Sequence, residues 1–221
     1  MLSQNGTRTG VSSPGSAEPG GGKAGEGESA PRPRRSDARR NVEALIGAAG
    51  TVFATSGVDA PAKEITDLAG VGVGTLYRHF PQRADLVKAV VESGIDALAD
   101  AGPDLSARRE PAEALIEWIH RFTELLATKR GLASALHSGD PAFSGLPDYF
   151  LGRLGPALVA LLDAAVAAGT VRDDLGPEDL LQAITQLSQP VPGRGPEHNQ
   201  LIVKVFVDGL RGGATRQPPA R

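Results

Sequence analysis

The sequence predicts an all-α fold of about nine helices, with a group of three closely linked helices set on a larger helical body. Three observations lead there. Apolar residues recur at spacings of three and four through most of residues 36–210, the period of a helix with one buried face. No run of alternating apolar and polar residues bounded by turn signals marks a strand. Hydrophobic residues make up 40% of the 221-residue chain, enough for a real core, and no internal repeat divides it.

Residues 1–31 stand apart. MLSQNGTRTGVSSPGSAEPGGGKAGEGESAP is Gly, Ser, Pro and Ala with almost no large apolar group. Such a segment cannot bury enough surface to offset its ordering entropy, so it reads as a disordered tail. It lacks the basic start and continuous apolar stretch of a signal peptide. No apolar run was expected to reach the ~20 residues that span a bilayer. The chain has no cysteine, which excludes disulfides, thiolate metal sites and cysteine nucleophiles and fits an intracellular, cytoplasmic protein. The net charge of −3 is unevenly spread: residues 32–90 carry +3, residues 91–221 carry −5 and residues 1–31 carry −1. Arg32, Arg34, Arg35, Arg39 and Arg40 crowd the sequence RPRRSDARR, so a polyanion partner at one end is one reading and a solvated tail the other.

The helices follow in order. Val42, Leu45, Ile46, Ala49, Val52 and Phe53 define the first, capped by Ser36 or Asp37 and closed by Gly57. The second runs from about Pro61 to Ala69, with Ile65 and Leu68 on its apolar face. After Gly70-Val71-Gly72 a third reaches about His79, with Leu76 and Phe80 four apart and able to point inward. The fourth runs from about Arg83 to Ala101, and AGPDLSARREP is expected as a connector. Further helices are expected at Pro111–Thr128, Leu132–His137, Leu146–Ala168, Glu178–Ser188 and Glu197–Leu210, before a tail at 214–221.

The glycines in GVGVGTLYRHF, residues 70–80, need an explanation. A dinucleotide loop requires G-x-G-x-x-G after a strand, whereas Gly70, Gly72 and Gly74 give G-x-G-x-G after a helix. The phosphate loop of nucleotide hydrolases needs a G-K-[ST] ending that is absent. What remains is helix, Gly-containing turn, helix. That is the helix-turn-helix arrangement, in which the second helix enters the major groove, or else an ordinary αα-corner with a solvated face. Thr75 and Tyr77 can bond phosphates, Arg78 can bond guanine edges and His79 can reach either.

VFATSGVDAPAKEITDLAGVGVGTLYRHFPQRADLVKAVV, residues 52–91, resembles the DNA-binding domain of the TetR family of bacterial transcriptional repressors. The likeness rests on Phe53 and Gly57, Ile65, the AGV turn, GTLYRHF and the basic residue and Leu86 that follow. It implies that Gly74, Thr75, Tyr77, Arg78 and His79 form the DNA-contacting set. It also implies that Arg83 touches phosphate at the start of the fourth helix, with Arg35, Arg39 and Arg40 in the basic arm. Gly72-Val73 stands where the family often has Ser-Lys, which removes a capping hydroxyl and one ionic contact. The implied organisation is a helix-turn-helix DNA-binding domain with its arm at 32–82 and a helical ligand-binding and dimerisation domain at 83–213.

In such a body the last two helices pair with a second copy. The candidates are Leu180, Leu181 and Ile184 on one helix and Leu201, Val205 and Phe206 on the other, although these apolar stripes could equally be the monomer's core. Trp118, His120, Phe122 and Thr123 are candidate effector-pocket residues, with Leu126, His137, Phe143 and Phe150 beyond them. The alternative is that Trp118 and Phe122, four apart, are simply core. His120 and His137 lack a third metal ligand, and Ser134, His137 and Asp140 lack a nucleophile elbow. No cofactor, metal or membrane partner is expected. The implied function is a dimeric repressor bound to a palindromic double-stranded DNA operator and released by a small, largely apolar effector. Its alternatives are a constitutive DNA-binding regulator without a physiological small-molecule ligand, and a helical enzyme or scaffold with an incidental turn.

Overall fold

The computed structural model describes residues 33–128 and 132–212. The tails expected at 1–31 and 214–221 lie outside these residues. Among the described residues there are nine α-helices: α1 Pro33–Ser56, α2 Ala62–Ala69, α3 Val73–His79, α4 Arg83–Arg108, α5 Pro111–Thr128, α6 Ala133–Leu136, α7 Leu146–Ala167, α8 Pro177–Leu187 and α9 Pro196–Gly212. A short 3₁₀ turn at Pro141–Phe143 leads into α7.

The head is α1, α2 and α3, closed beneath by the start of α4. Leu45, Phe53, Ile65, Leu76 and Leu86 are buried together there. Helix α1 begins at Pro33 rather than at a cap on Ser36 or Asp37, so part of the expected arm is helical. Proline is well suited to a first helical turn, and the charged pairs Arg39–Glu43 and Arg40–Asp37 lie on that helix at i,i+4 and i,i+3 spacing.

Helix α4 is longer than expected. It continues through Pro103 to Arg108, and the connector shrinks to Arg109 and Glu110. Pro103 removes a backbone donor, and three features hold the helix on either side of it. Leu105 is buried. Gly102 lets α7 come so close that a Cβ there would stand 3.2 Å from that of Ala157. The Arg109 N–H closes the end by donating to the Leu105 carbonyl at 3.0 Å.

The body is built on α4, α5 and α7, with α8 and α9 packed on its far side. Trp118, Phe122, Leu154, Leu158 and Leu161 fill its centre. The Trp118 indole N–H donates to the Leu98 carbonyl of α4 at 3.0 Å, so the largest buried side chain also has its polar atom satisfied. Residues Pro141–Ala167 are long and apolar enough to cross a bilayer, with mean hydropathy 1.6, contrary to the expectation of no such run. In the fold Leu154, Leu158, Leu161 and Ala165 of this stretch are buried, and α7 is a central helix of the body.

Two short ion-paired links join α4 to α7. Arg153 donates from Nε to Asp96 at 2.6 Å and from Nη2 to Asp100 at 3.0 Å. The Tyr149 hydroxyl donates to the same Asp96 carboxylate at 2.7 Å, and that bond raises the Tyr149 pKa above its usual value.

The close α4–α7 approach yields a direct expectation. Gly102→Leu should lower folding stability by about 1–3 kcal/mol through overpacking against Ala157. Urea denaturation of the variant and parent measures it; equal midpoints would show that the two helices separate freely.

Candidate nucleic-acid interface

The turn between α2 and α3 is set by one glycine. Gly70 ends α2 with φ +69°, a left-handed conformation that side chains rarely adopt. Its N–H donates to the Asp67 carbonyl at 3.3 Å, and Val71 N–H reaches back to the Thr66 carbonyl at 3.1 Å. These two bonds close the α2 terminus and reverse the chain. Thr66 is buried, and its hydroxyl donates to the Lys63 carbonyl at 3.1 Å. Gly72 then occupies the N-cap of α3 in extended backbone, with φ −76° and no side-chain cap. The Thr75 N–H donates to its carbonyl at 2.8 Å.

Two anchors aim α3. Leu76 and Phe80 are buried in the head's core, four residues apart on one face. The opposite face carries Val73, Gly74, Tyr77 and Arg78, all exposed, with Thr75 and His79 half-buried beside them. Tyr77 is 54% exposed, which is high for an aromatic residue on a packed helix. Arg78 and His79 occupy the last turn, where positive charge suits the helix dipole. The projecting set thus offers hydroxyl and guanidinium donors and an imidazole from one short convex helix. The chemistry matches contacts to phosphates and base edges. Gly74 has nothing within 4 Å of where a Cβ would sit, so the fold itself has no need of a glycine there.

Arg83 is placed differently from the expectation. Its Nε donates to the Val58 carbonyl at 2.8 Å, its Nη2 donates to the Ala60 carbonyl, and its guanidinium lies 5.0 Å from the centre of the Phe53 ring. Burial pushes its pKa below the usual arginine value, opposed by the nearby Asp59. A side chain engaged on two carbonyls of the α1–α2 loop clamps the head to α4 and is not held out towards a phosphate. The end of α4 is also fixed by the Gln82 N–H, which donates to Asp85 at 3.0 Å, a Q-x-x-D pair legible in the sequence.

The arm is also less free than expected. Arg39 and Arg40 are exposed on α1, each paired with an acidic neighbour. The Arg35 side chain lies outside the described residues. On α2 the Lys63 ammonium holds Asp67 at 2.6 Å, so the acidic residue beside the turn is locally neutralised.

In the body, three expected pocket residues are core. Trp118 and Phe122 are fully buried and Phe143 nearly so. Trp118 and Phe122 stand 5.7 Å apart, as do Phe122 and Phe150, so the aromatic groups fill space and do not line a void. His120 and His137 are exposed, and Thr123, Leu126 and Phe150 are half-buried. The expected dimer residues divide. Leu180, Leu181 and Ile184 are buried within the protomer, because α8 presses its apolar stripe onto the body. Leu201 and Val205 face outward at 58% and 61% exposure, with Phe206 half-buried. The Tyr149–Asp96–Arg153 link was missed, although Asp96/Asp100 and Tyr149/Arg153 are matched i,i+4 pairs.

Comparison with known proteins bears on this geometry. Residues 45–90 match the family described as bacterial regulatory proteins, tetR family. Residues 110–212 match the transcriptional regulator SbtR-like C-terminal domain. A TetR transcriptional regulator from Streptomyces coelicolor has a solved structure with 34% identity and a TM-score of 0.65; the match covers 81% of this chain and 99% of that one. A solved γ-butyrolactone receptor (ArpA-like) is 25% identical with a TM-score of 0.52, over 79% of this chain and 90% of that one. An HTH-type transcriptional regulator of Staphylococcus aureus is 36% identical over 70 residues, 30% of this chain and 36% of that protein, so the match spans about a third of the curated relative.

Two expected outcomes follow from α3 and Arg83. Gly74→Ala should raise folding stability by up to ~1 kcal/mol, because alanine is the better helix former and has room. It should nevertheless weaken duplex binding if the backbone of α3 lies against DNA. A variant that binds as the parent does would place DNA farther from this face. Arg83→Met should cost about 1–3 kcal/mol of stability, since it removes two hydrogen bonds from a charged group. It should leave the log–log salt dependence of duplex binding unchanged, whereas loss of a phosphate ligand lowers that slope by about 0.9. Fluorescence anisotropy across a salt series separates the two roles.

Proposed function

The chain belongs to the TetR family of bacterial regulatory proteins, and from that premise we propose that it is a homodimeric, ligand-released transcriptional repressor of a palindromic operator. The family is one of DNA-binding regulators and not of enzymes. The observation that carries the reading is the outward face of α3. Leu76 and Phe80 lock the helix from within, and Gly74, Tyr77 and Arg78 stand free on its far side. Tyr77 and Thr75 bond phosphates and position the head, Arg78 reads a base edge, and His79 supports either contact. Arg39 and Arg40 add positive charge from α1. This reading has it act in the cytoplasm, on duplex DNA.

A single α3 reads too few base pairs for a specific site, and two heads related by a two-fold axis double the contact. Leu201 and Val205 supply the reason to pair. They are large apolar side chains four apart on the outer side of α9, and a monomer leaves both in water. Packing α9 against its symmetry mate covers them, with Phe206 at the edge of the seam. The two α3 helices must then lie about 34–36 Å apart to enter successive major grooves.

Release follows from α4. It touches the head at Val90, beside Gly50, and the body through Leu98, Asp96 and Gly102. A ligand that shifts α5 or α7 moves α4 and with it the spacing of the heads. Coupling of this kind is typically about 1–3 kcal/mol. The solved relative named as a γ-butyrolactone receptor supports a small-molecule effector of this kind. A second reading, a constitutive regulator, is favoured by one observation: Trp118, Phe122, Leu154 and Leu158 leave the centre of the body filled.

Selection of bound sequences from random duplex DNA by the full chain should return an inverted repeat. The double variant Leu201→Asp, Val205→Asp should sediment as a monomer and bind only a half-site, more weakly. Recovery of an unrepeated motif by the parent, or a double variant that remains dimeric, would overturn the dimeric reading.

A further inference from the structure

The centre of the body is full, but the corner where α5, α8 and α9 meet is not. Ser188 caps the end of α8, and its N–H donates to the Ile184 carbonyl at 3.0 Å. The residue is 6% exposed, and its Oγ is the one buried side-chain polar atom without a hydrogen-bond partner among the described residues. A buried hydroxyl left unmatched costs free energy, and the fold makes no use of it.

Ser188 lines a pocket of about 60 Å³, together with Thr123, Ala127, Asn199, Gln200 and Val203. Two neighbouring donors are already engaged. Asn199 Nδ2 donates to the carbonyls of Leu187 and Gln189, both at 2.7 Å, and Thr123 Oγ1 donates to the His120 carbonyl at 2.7 Å. Ser188 is therefore the buried side chain of this pocket with a hydrogen bond still to make. Through Thr123, Glu124, Gln200 and Val203 the pocket opens into a groove of about 440 Å³ between α5 and α9. The groove is floored by Ile116, Val203 and Val207. Its volume falls among small-ligand sites, which run from ~300 to 1,000 Å³. Its charged rim is balanced, with Lys204 and Arg211 against Glu124 and Asp208, which favours neither an anion nor a cation.

We propose that this corner is a binding site for a small uncharged molecule with one hydrogen-bonding oxygen on an apolar body, and that it is the effector site of the switch. The second half of the proposal rests on the ligand-released reading above. The oxygen reaches Ser188 at the closed end, and the apolar body lies along Val203 and Val207. A molecule seated there wedges between α5 and α9. On α9, Gln200 and Lys204 line the groove and the next residues, Leu201 and Val205, form the proposed dimer seam. A ligand that turns α9 therefore acts directly on the seam that sets the distance between the heads.

The test uses the full chain, isotopically labelled, titrated with benzyl alcohol as the probe and with toluene as the same body lacking the oxygen. Benzyl alcohol should shift the amide signals of Ser188, Asn199 and Val203 saturably and bind about tenfold tighter than toluene, the value of one matched hydrogen bond. Ser188→Ala should fold with an undiminished melting temperature, since it removes an unmatched group, and should abolish the preference for benzyl alcohol. Signals that move around Trp118 and Phe122 instead, equal binding of the alcohol by parent and variant, or a bound water only, would overturn the site. Operator affinity read in the same titration keeps the two readings apart. Saturation of the corner with unchanged operator affinity leaves the site standing and removes its role as effector site. Release of the operator by some other molecule, equal in parent and Ser188→Ala, sustains the switch and overturns this placement of it.

Discussion

Helix α4 crosses from the head into the body, and the aim of α3 depends on how firmly each end of α4 is held. At its first residue Arg83 grips the Val58 and Ala60 carbonyls and covers Phe53. Thirteen to nineteen residues later the contacts change to the body: the Trp118 indole on the Leu98 carbonyl, the Arg153 fork on Asp96 and Asp100, and Gly102 against Ala157. The first set makes head and helix one piece. The second makes helix and body one piece. Only the short turn at residues 80–82 separates α3 from α4, so a displacement below has a nearly continuous path upward. The 26-residue length of α4 turns a small rotation at one end into a translation of several ångströms at the other.

The kind of contact differs between those ends. At the head, donors meet backbone carbonyls, which cannot change charge or be displaced by a competing side chain. On the α4–α7 face, a guanidinium and a phenol meet carboxylates that are partly open to water. Exposed ion pairs contribute little to stability and rearrange at low cost. The contacts are thus firm beneath α3 and more yielding on the α4–α7 face, which is where the proposed switch would act.

Much of this was legible in the sequence. The apolar period gave the helices, and Gly70, Leu76 and Phe80 gave the turn and the inward side of α3, because these depend on neighbours within four residues. What was misread depended on partners far along the chain. Pro103 reads as a break, yet α4 runs through it, with Leu105 buried beyond it and Gly102 close against Ala157 of α7. Arg83 was expected at a phosphate, but its partners lie 23 and 25 residues upstream, and no periodicity shows that reach. Leu180 and Ile184 were expected in a dimer seam. An apolar stripe shows that something covers it, not whether the cover belongs to the same chain. Ser188 left no signal, since a serine at a helix end is ordinarily a cap.

The electrostatics of the head then argue for an unusual division of labour on DNA. Val73 has no charge, Arg83 is turned inward, and Arg39, Arg40 and Lys63 are each paired with a carboxylate on the same helix. These exposed pairs must open before their cations release counterions from the duplex, and that release is what gives most regulators their non-specific affinity. Arg78 is exposed at the end of the recognition helix, and Tyr77 and Thr75 offer neutral hydroxyls beside it. A head of this kind gains less from any DNA and relatively more from the right DNA. On the proposed reading its binding leans on the close fit of α3, for which an uncrowded Gly74 is suited, and on a second copy to double that fit. In the proposed dimer both make binding sensitive to the spacing of the two heads, the quantity that the proposed effector between α5 and α9 would alter.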